Sequence, residues 1–195
     1  MIFDLYNIPN IQCPKPVRLV VIDVDGVLCK GKTYDKNGDC ISKSFVDTDF
    51  TAIKRFRALG IPVVAITGDS WNEGFLKKRN IPYFISRQDD RHVSKEEFLP
   101  LILEQFKVEL DDVIYIGDDL FDISIMEKLG RENSFCPADS PKIVREYCND
   151  RFFLFTEEGC ISSLFDMLES TNRIPKVPFH EIFPKILALD KHDKF

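Results

Sequence analysis

Short apolar, β-branched runs alternate along this chain with longer stretches of helical period. The pattern predicts strands over residues 18–23, 62–66, 83–86, 113–117 and 152–155, with a weaker one near 134–136. It predicts helices over 49–58, 71–79, 95–106, 120–128, 141–148 and 161–169. Alternation of this kind implies an α/β fold, a doubly wound parallel sheet covered on both faces. Helix ends are signposted: Ser70 with Glu73 has capping-box spacing, Ser94 precedes KEEF, and Gly60 and Gly130 follow apolar helical segments. Between the first strand and the first helix, GKTYDKNGDCISKSF forms two alternating arms around Asn37-Gly38, a β-hairpin signal. From Thr171 onward prolines, aromatics and basic residues mix without a clear period, which reads as a partly ordered terminus, with a docking tail as the alternative. The expected organisation is an N-terminal extension over 1–17, one domain over 18–170 and a C-terminal tail over 171–195.

Composition adds boundaries to this picture. A chain of 195 residues suits one domain with a substantial core. The formal charge of -6 argues against nonspecific binding to nucleic acid or an anionic membrane and suits a site that collects cations. The longest apolar runs are far too short to span a bilayer, and MIFDLYNIPN has neither the basic nor the apolar region of a signal peptide. Six scattered cysteines, with no C-x-x-C pair, leave metal clusters and disulfides open but favour reduced thiols in a cytoplasmic protein. The three histidines are too dispersed to suggest zinc.

The chemistry gathers at strand ends. In an open parallel sheet, ligands bind beyond the carboxyl ends of the strands. The first predicted strand ends on Asp23 and Asp25, the second on Thr67-Gly68, and another on GDDLFD, which supplies Asp118, Asp119 and Asp122. Lys95 begins a helix that could reach the same rim. Taken singly, each is an ordinary turn, cap or solvated charge; together they aim several carboxylates and one lysine at one place. Two like charges at 4 Å repel by about 4 kcal/mol at an effective dielectric of about 20, and a divalent cation reverses that sign. Hard oxygen ligands without histidine or cysteine select magnesium. A lysine and a threonine hydroxyl beside a helix N-terminus suit a phosphoryl group. A carboxylate nucleophile and, two residues later, a second carboxyl for acid–base work complete a set suited to phosphomonoester hydrolysis.

These residues carry a resemblance. The haloacid-dehalogenase superfamily of aspartyl-phosphate phosphatases has D-x-D-G, T-G, a lysine and G-D-D-x-x-D, which stand here as Asp23-Val24-Asp25-Gly26, Thr67-Gly68, Lys95 and Gly117-Asp118-Asp119-Leu120-Phe121-Asp122. The similarity runs from about Arg18 to Glu169. Thr67 lies only 42 positions after Asp25, so the hairpin stands where many relatives insert a cap domain. DVDGVL, GIPVVAITG and IYIGDDLFDISIMEKLG look most like the capless subgroup that contains the 3-deoxy-manno-octulosonate (KDO) 8-phosphate and nonulosonate 9-phosphate phosphatases.

The resemblance implies Asp23 as nucleophile and magnesium ligand, and Asp25 as acid–base that lends its backbone carbonyl to the metal. It implies Thr67, Gly68 and Lys95 around the phosphoryl group, Asp118 on the metal, and Asp119 and Asp122 in support. It further implies an acidic keto-sugar phosphate as substrate and a homotetramer in which a neighbour covers the open site. Three segments depart from the pattern: the family's Arg-Asp-Gly reads Thr48-Asp49-Phe50, Asp69 follows the T-G motif, and the glycine-rich segment with its arginine reads EEGCISSL. The loop RQDDRHVSK is also longer than usual, and Arg87, Arg91 and His92 in it are either substrate contacts or solvated charges. The alternatives are a non-catalytic oligomerisation module, as at the end of some acylneuraminate cytidylyltransferases, and a phosphoacceptor receiver. A receiver, however, lacks the D-x-D-G acid.

Overall fold

The strand Leu19–Ile22 (β1) is buried along its whole length, as a strand covered on both faces must be. The computed structural model describes residues 15–88, 91–151, 154 and 159–191. Around β1 a five-stranded sheet assembles with Val63–Thr67 (β4) and Tyr83–Ile85 (β5) on one side, and Val113–Ile116 (β8) and Ser134–Phe135 (β9) on the other. All its pairings are parallel, in the order β5-β4-β1-β8-β9. The chain leaves β1 first to one side and later to the other. This switch point is where an open α/β sheet forms a crevice at its carboxyl edge.

Alternation along β1 sends Val20 and Ile22 into one core and Leu19 and Val21 into the other. The first core takes apolar faces from Asp47–Ala58 (α1), Asn72–Lys78 (α2) and Cys160–Ser170 (α6). The second takes them from Leu99–Phe106 (α3), Ile123–Leu129 (α4) and Lys142–Arg145 (α5). The helix expected over 95–106 begins as a 3-10 turn, Lys95–Phe98, whose entry is closed by the Ser94–Glu97 capping box. That over 120–128 likewise starts as a 3-10 turn, Leu120–Asp122. Of the strand expected over 152–155, only Leu154 lies within the described residues, where it bridges Pro137.

At Ser70 the local expectation is corrected. Asp69 Oδ1 accepts from Trp71 N at 3.0 Å and shapes the entry to α2, while Glu73 accepts from Lys77 and the Tyr83 hydroxyl. The better-placed aspartate takes the turn, and the longer carboxylate goes to stronger partners on the surface.

The hairpin pairs Cys29–Tyr34 (β2) with Cys40–Phe45 (β3) in antiparallel register. Asp35 Oδ1 accepts from Asn37 N and Asp39 N, and Gly38 takes a φ of 90°, which favours glycine at the turn. The hairpin base is tied down where Phe45 stacks on Phe75, ring centroids 4.1 Å apart. A much shorter pair, Arg87–Gln88 (β6) with Arg91–His92 (β7), stands in the longer loop after β5.

The C-terminal segment carries Phe179–Asp190 (α7), which packs on α1, buries Ile182 and places Asp190 in an ion pair with Lys54. Arg173 is also held, donating to Glu132 O at 2.8 Å and Asn133 Oδ1 at 2.6 Å. No helix of the described residues is long and apolar enough to cross a membrane.

Candidate active site

Asp23 follows β1 directly and is held there by its amide, which donates to Ile116 O at 2.8 Å. Its carboxylate is buried: Oδ1 accepts from Val24 N at 2.7 Å, and Oδ2 stands 3.0 Å from Lys95 Nζ. Burial raises this carboxyl to about 7; the charges of Asp122 and Asp118 add to the rise and Lys95 opposes it.

Lys95 itself is buried, with its ammonium 2.5 Å from Asp122 Oδ1 and 3.2 Å from the Tyr115 hydroxyl. Burial lowers its pKa, but the neighbouring Asp23 and Asp122 charges outweigh that and hold it above the ordinary lysine value. The group is therefore a permanent cation at the floor of the site.

Asp122 is fully buried and fully engaged. Its Oδ1 accepts from Lys95 and, at 2.5 Å, from Tyr115; its Oδ2 accepts from Asp118 N at 2.8 Å and Asp119 N at 2.9 Å. One side chain thus folds the GDD turn and positions the lysine. Asp119 is exposed at the rim, its Oδ1 accepting from Leu120 N.

Asp118 has different surroundings. Its Oδ1 is buried without a hydrogen-bond partner, and burial, with Asp122 and Asp119 close by, raises its carboxyl to about 7. An orphaned buried carboxylate oxygen is expensive unless a ligand meets it. Oxygens of Asp23, Asp118 and Asp122 lie within 4.8 Å of one another, close enough to share a metal ion. Because both Asp122 oxygens are committed, the oxygens open to a cation belong to Asp23 and Asp118. An all-oxygen set of this kind fits a hard divalent ion. Gly26 makes the approach possible: its φ is 89°, and a Cβ there would overlap the Asp118 carboxylate.

Asp25 sits on the hairpin side. Its Oδ1 is 2.6 Å from Lys43 Nζ and 3.3 Å from Lys32 Nζ, and its Oδ2 accepts from Asn72 Nδ2 at 3.2 Å. Asn72 also donates to Thr67 Oγ1 at 2.8 Å, joining the T-G motif to the second aspartate. Thr67 is fully buried at the end of β4, and Asp69 N donates to its hydroxyl oxygen at 3.2 Å, leaving the hydroxyl proton free to be donated. Gly68 lines the opening. A cavity of about 510 Å³ joins Asp23, Asp25, Gly68, Lys95, Asp118 and Asp119.

The structure therefore brings Asp23, Lys95, Asp118 and Asp122 into one contact group; Asp25 lines the same cavity and is joined to Thr67 through Asn72, and Asp119 stands at the rim. Reading from sequence had overlooked Lys32, Lys43, Asn72 and Tyr115. A signal existed for the first two, since the hairpin register sets Lys32 opposite Lys43. Like charges in cross-strand register are unfavourable unless an anion faces them, and here Asp25 and Asp69 do. Asp49, which stands where the family has its Arg-Asp-Gly aspartate, is buried away from the site and caps α6, accepting from Ile161 N at 2.8 Å and Ser162 N at 3.0 Å.

This geometry can be set beside known proteins. No protein-family model matches the sequence. The chain is 29% identical over 153 residues to KDO 8-phosphate phosphatase of Haemophilus influenzae, covering 78% of this chain and 82% of that one. It is also similar to the structure of the cobalt-bound form of the deoxy-D-mannose-octulosonate 8-phosphate phosphatase from Haemophilus influenzae. That likeness has a TM-score of 0.69 at 27% identity, over 82% of this chain and 91% of the other. The chain thus resembles the phosphatases of the haloacid-dehalogenase superfamily. A third likeness, in fold, is to the Moraxella catarrhalis KDO 8-phosphate phosphatase in complex with magnesium, phosphate and KDO. Here the TM-score is 0.65 at 23% identity, over 82% of this chain and 90% of that one. The chain is a phosphoric monoester hydrolase resembling KDO 8-phosphate phosphatase.

Proposed function

We propose that this chain is a magnesium-dependent phosphatase of a small acidic keto-sugar phosphate, of the KDO 8-phosphate or nonulosonate 9-phosphate type, acting through an aspartyl-phosphate. The observation that carries the reading is the buried pair of Asp23 and Lys95 at 3.0 Å, with the unpartnered Asp118 oxygen beside it. Asp23 is the nucleophile: one carboxylate oxygen attacks phosphorus as the bond to the substrate alcohol breaks. Lys95 and Thr67, with the Gly68 backbone, hold the phosphoryl oxygens while charge builds on them. Asp25, two residues on, gives its proton to the departing alkoxide and then takes one from the water that attacks the phosphoaspartate, releasing phosphate and restoring Asp23. Asp23 and Asp118, with the Asp25 carbonyl, would hold magnesium, which when bound supplies charge neutralisation between carboxylates and phosphoryl oxygens. Asp119 and Asp122 are supporting groups, Asp122 through Lys95.

The substrate class is supported by the relatives, whose names specify an eight-carbon acidic sugar phosphate. The capless-subgroup resemblance further supports a homotetramer, and the free thiols of Cys29, Cys40, Cys136, Cys148 and Cys160 suit a cytoplasmic location. The reading is tested by phosphate release from a panel containing KDO 8-phosphate and several nonulosonate 9-phosphates, with and without magnesium. Magnesium-dependent release concentrated on one compound is expected; release unaffected by magnesium, or from none, contradicts it.

A further inference from the structure

Among the described residues, Arg87 at the mouth of the cavity has a charge that no carboxylate answers. Lys32 and Lys43 are taken up by Asp25 and Asp69. Arg87, which lines the same cavity as Asp23, Lys95 and Gly68, has no carboxylate within 4.0 Å among the described residues. It is nonetheless held in place. Its guanidinium carbon stands 4.4 Å from the centroid of Phe121, and its cross-strand partner His92 lies against the same ring at 5.3 Å. The strand pair that carries both is closed by Val93 N donating to Ser86 O at 2.8 Å. On its other side the arginine packs on the T-G motif, where a Cβ added to Gly68 would come within 3.2 Å of Arg87 Nε.

Stacking on a ring occupies one face of a guanidinium and leaves its in-plane N–H donors free for a planar, bidentate acceptor. Depth separates the roles. Asp23, Thr67 and Lys95 are 7%, 0% and 5% exposed at the floor, whereas Arg87 is exposed and its ring platform Phe121 is 50% exposed at the rim. The floor is where the phosphoryl group belongs, so the rim faces the rest of the substrate. We propose that Arg87 is a specificity residue that receives a carboxylate on the alcohol being released, so that the site selects phosphomonoesters carrying a second anionic group. This rests on the phosphatase reading and adds a recognition element within this chain's longer loop, which itself departs from the family pattern.

A matched pair of probes tests it: 6-phosphogluconate carries a carboxylate where sorbitol 6-phosphate carries a hydroxymethyl group. Binding is measured by calorimetry in magnesium on Asp23→Asn protein, with and without Arg87→Ala, and kcat/KM is measured on protein with Asp23 intact. The Asp23→Asn protein is expected to prefer 6-phosphogluconate by about tenfold or more, in line with a charge-assisted hydrogen-bonded pair, with Arg87→Ala removing the preference and Arg87→Lys keeping part of it. Equal affinity for the two probes, or an equal change for both on Arg87→Ala, overturns the assignment; the latter places Arg87 on the phosphoryl group instead. A binding preference that depends on Arg87 without any phosphate release leaves this inference standing and removes the catalytic one. A thermal melt of Arg87→Ala matching the parent protein confirms that the variant is folded.

Discussion

Lys43 Nζ lies 2.6 Å from Asp25 Oδ1, and the lysine side chain is wholly shielded from solvent. The same ammonium meets Asp69 Oδ2 at 2.7 Å and Asn72 Oδ1 at 2.8 Å, so three acceptors from two segments, the end of β1 and the entry to α2, converge on one hairpin residue. The hairpin therefore fixes the orientation of the proposed acid–base. Lys43→Met is expected to lower stability by about 1–3 kcal/mol, since it strands partly buried acceptors, and to reduce kcat by about tenfold or more as Asp25 loses its orientation. Urea denaturation and steady-state kinetics check both; unchanged kcat would show that Asn72 and Lys32 position Asp25 without Lys43.

Asp122 is the keystone of the floor because all its hydrogen-bonding capacity is used. Asp122→Asn places an amide NH₂ against either the Asp118 and Asp119 N–H groups or Lys95 and Tyr115, and removes the charge that pairs with Lys95. Breaking a buried pair in this way costs about 3–5 kcal/mol. Tyr115→Phe removes one neutral hydroxyl, which donates to Asp122 and accepts from Lys95, leaves the charge pair in place, and is expected to cost about 1 kcal/mol. Comparing the two by denaturant titration tests whether Asp122 or Tyr115 carries the arrangement.

Asp23 and Asp118 give the metal-free protein a definite pH response. Both carboxyls are raised to about 7 from an ordinary 3.8, so the folded chain keeps protons that the unfolded chain has released. The stabilisation from these two groups is complete below about pH 4 and is lost as pH rises through about 7. A bound cation favours the charged carboxylates and opposes that loss. The rise in Tm on adding magnesium is therefore expected to be larger at about pH 7.5 than at about pH 5.5, a difference read by scanning calorimetry. An equal rise at both values would place the ion elsewhere.

Gly26 tests the carboxylate geometry from the backbone side. Gly26→Ala would force a Cβ into the Asp118 carboxylate at a φ of 89°. Loss of the magnesium-dependent rise in Tm is expected together with loss of turnover; retention of either shows that Asp118 can move without consequence.

Much of the fold was legible because the sheet is buried on both faces. Strands such as β1, β4 and β8 read as short apolar runs, and all three are buried throughout. α7 was not legible: Pro184 lies inside it and only Ile182 is buried, so its pattern shows neither a clean period nor a broad apolar face turned inward. The Ser70 capping box failed because spacing alone cannot tell which of two neighbouring side chains, Asp69 or Ser70, will take the turn. The carboxylates were legible because they are adjacent in the motifs. The groups that orient them, Lys43, Asn72 and Tyr115, come from a hairpin, a helix and a strand interior and meet only when the chain folds.

The account stands on Asp23 as the residue that takes the phosphoryl group. Reduction of enzyme quenched during turnover with borohydride converts an acyl phosphate to an alcohol, and peptide mass spectrometry then locates it. Homoserine at position 23, formed only with substrate and magnesium and absent from Asp23→Asn protein, is the expected result. Phosphate release that persists in Asp23→Asn, or a reduced aspartate at any other position, would contradict it.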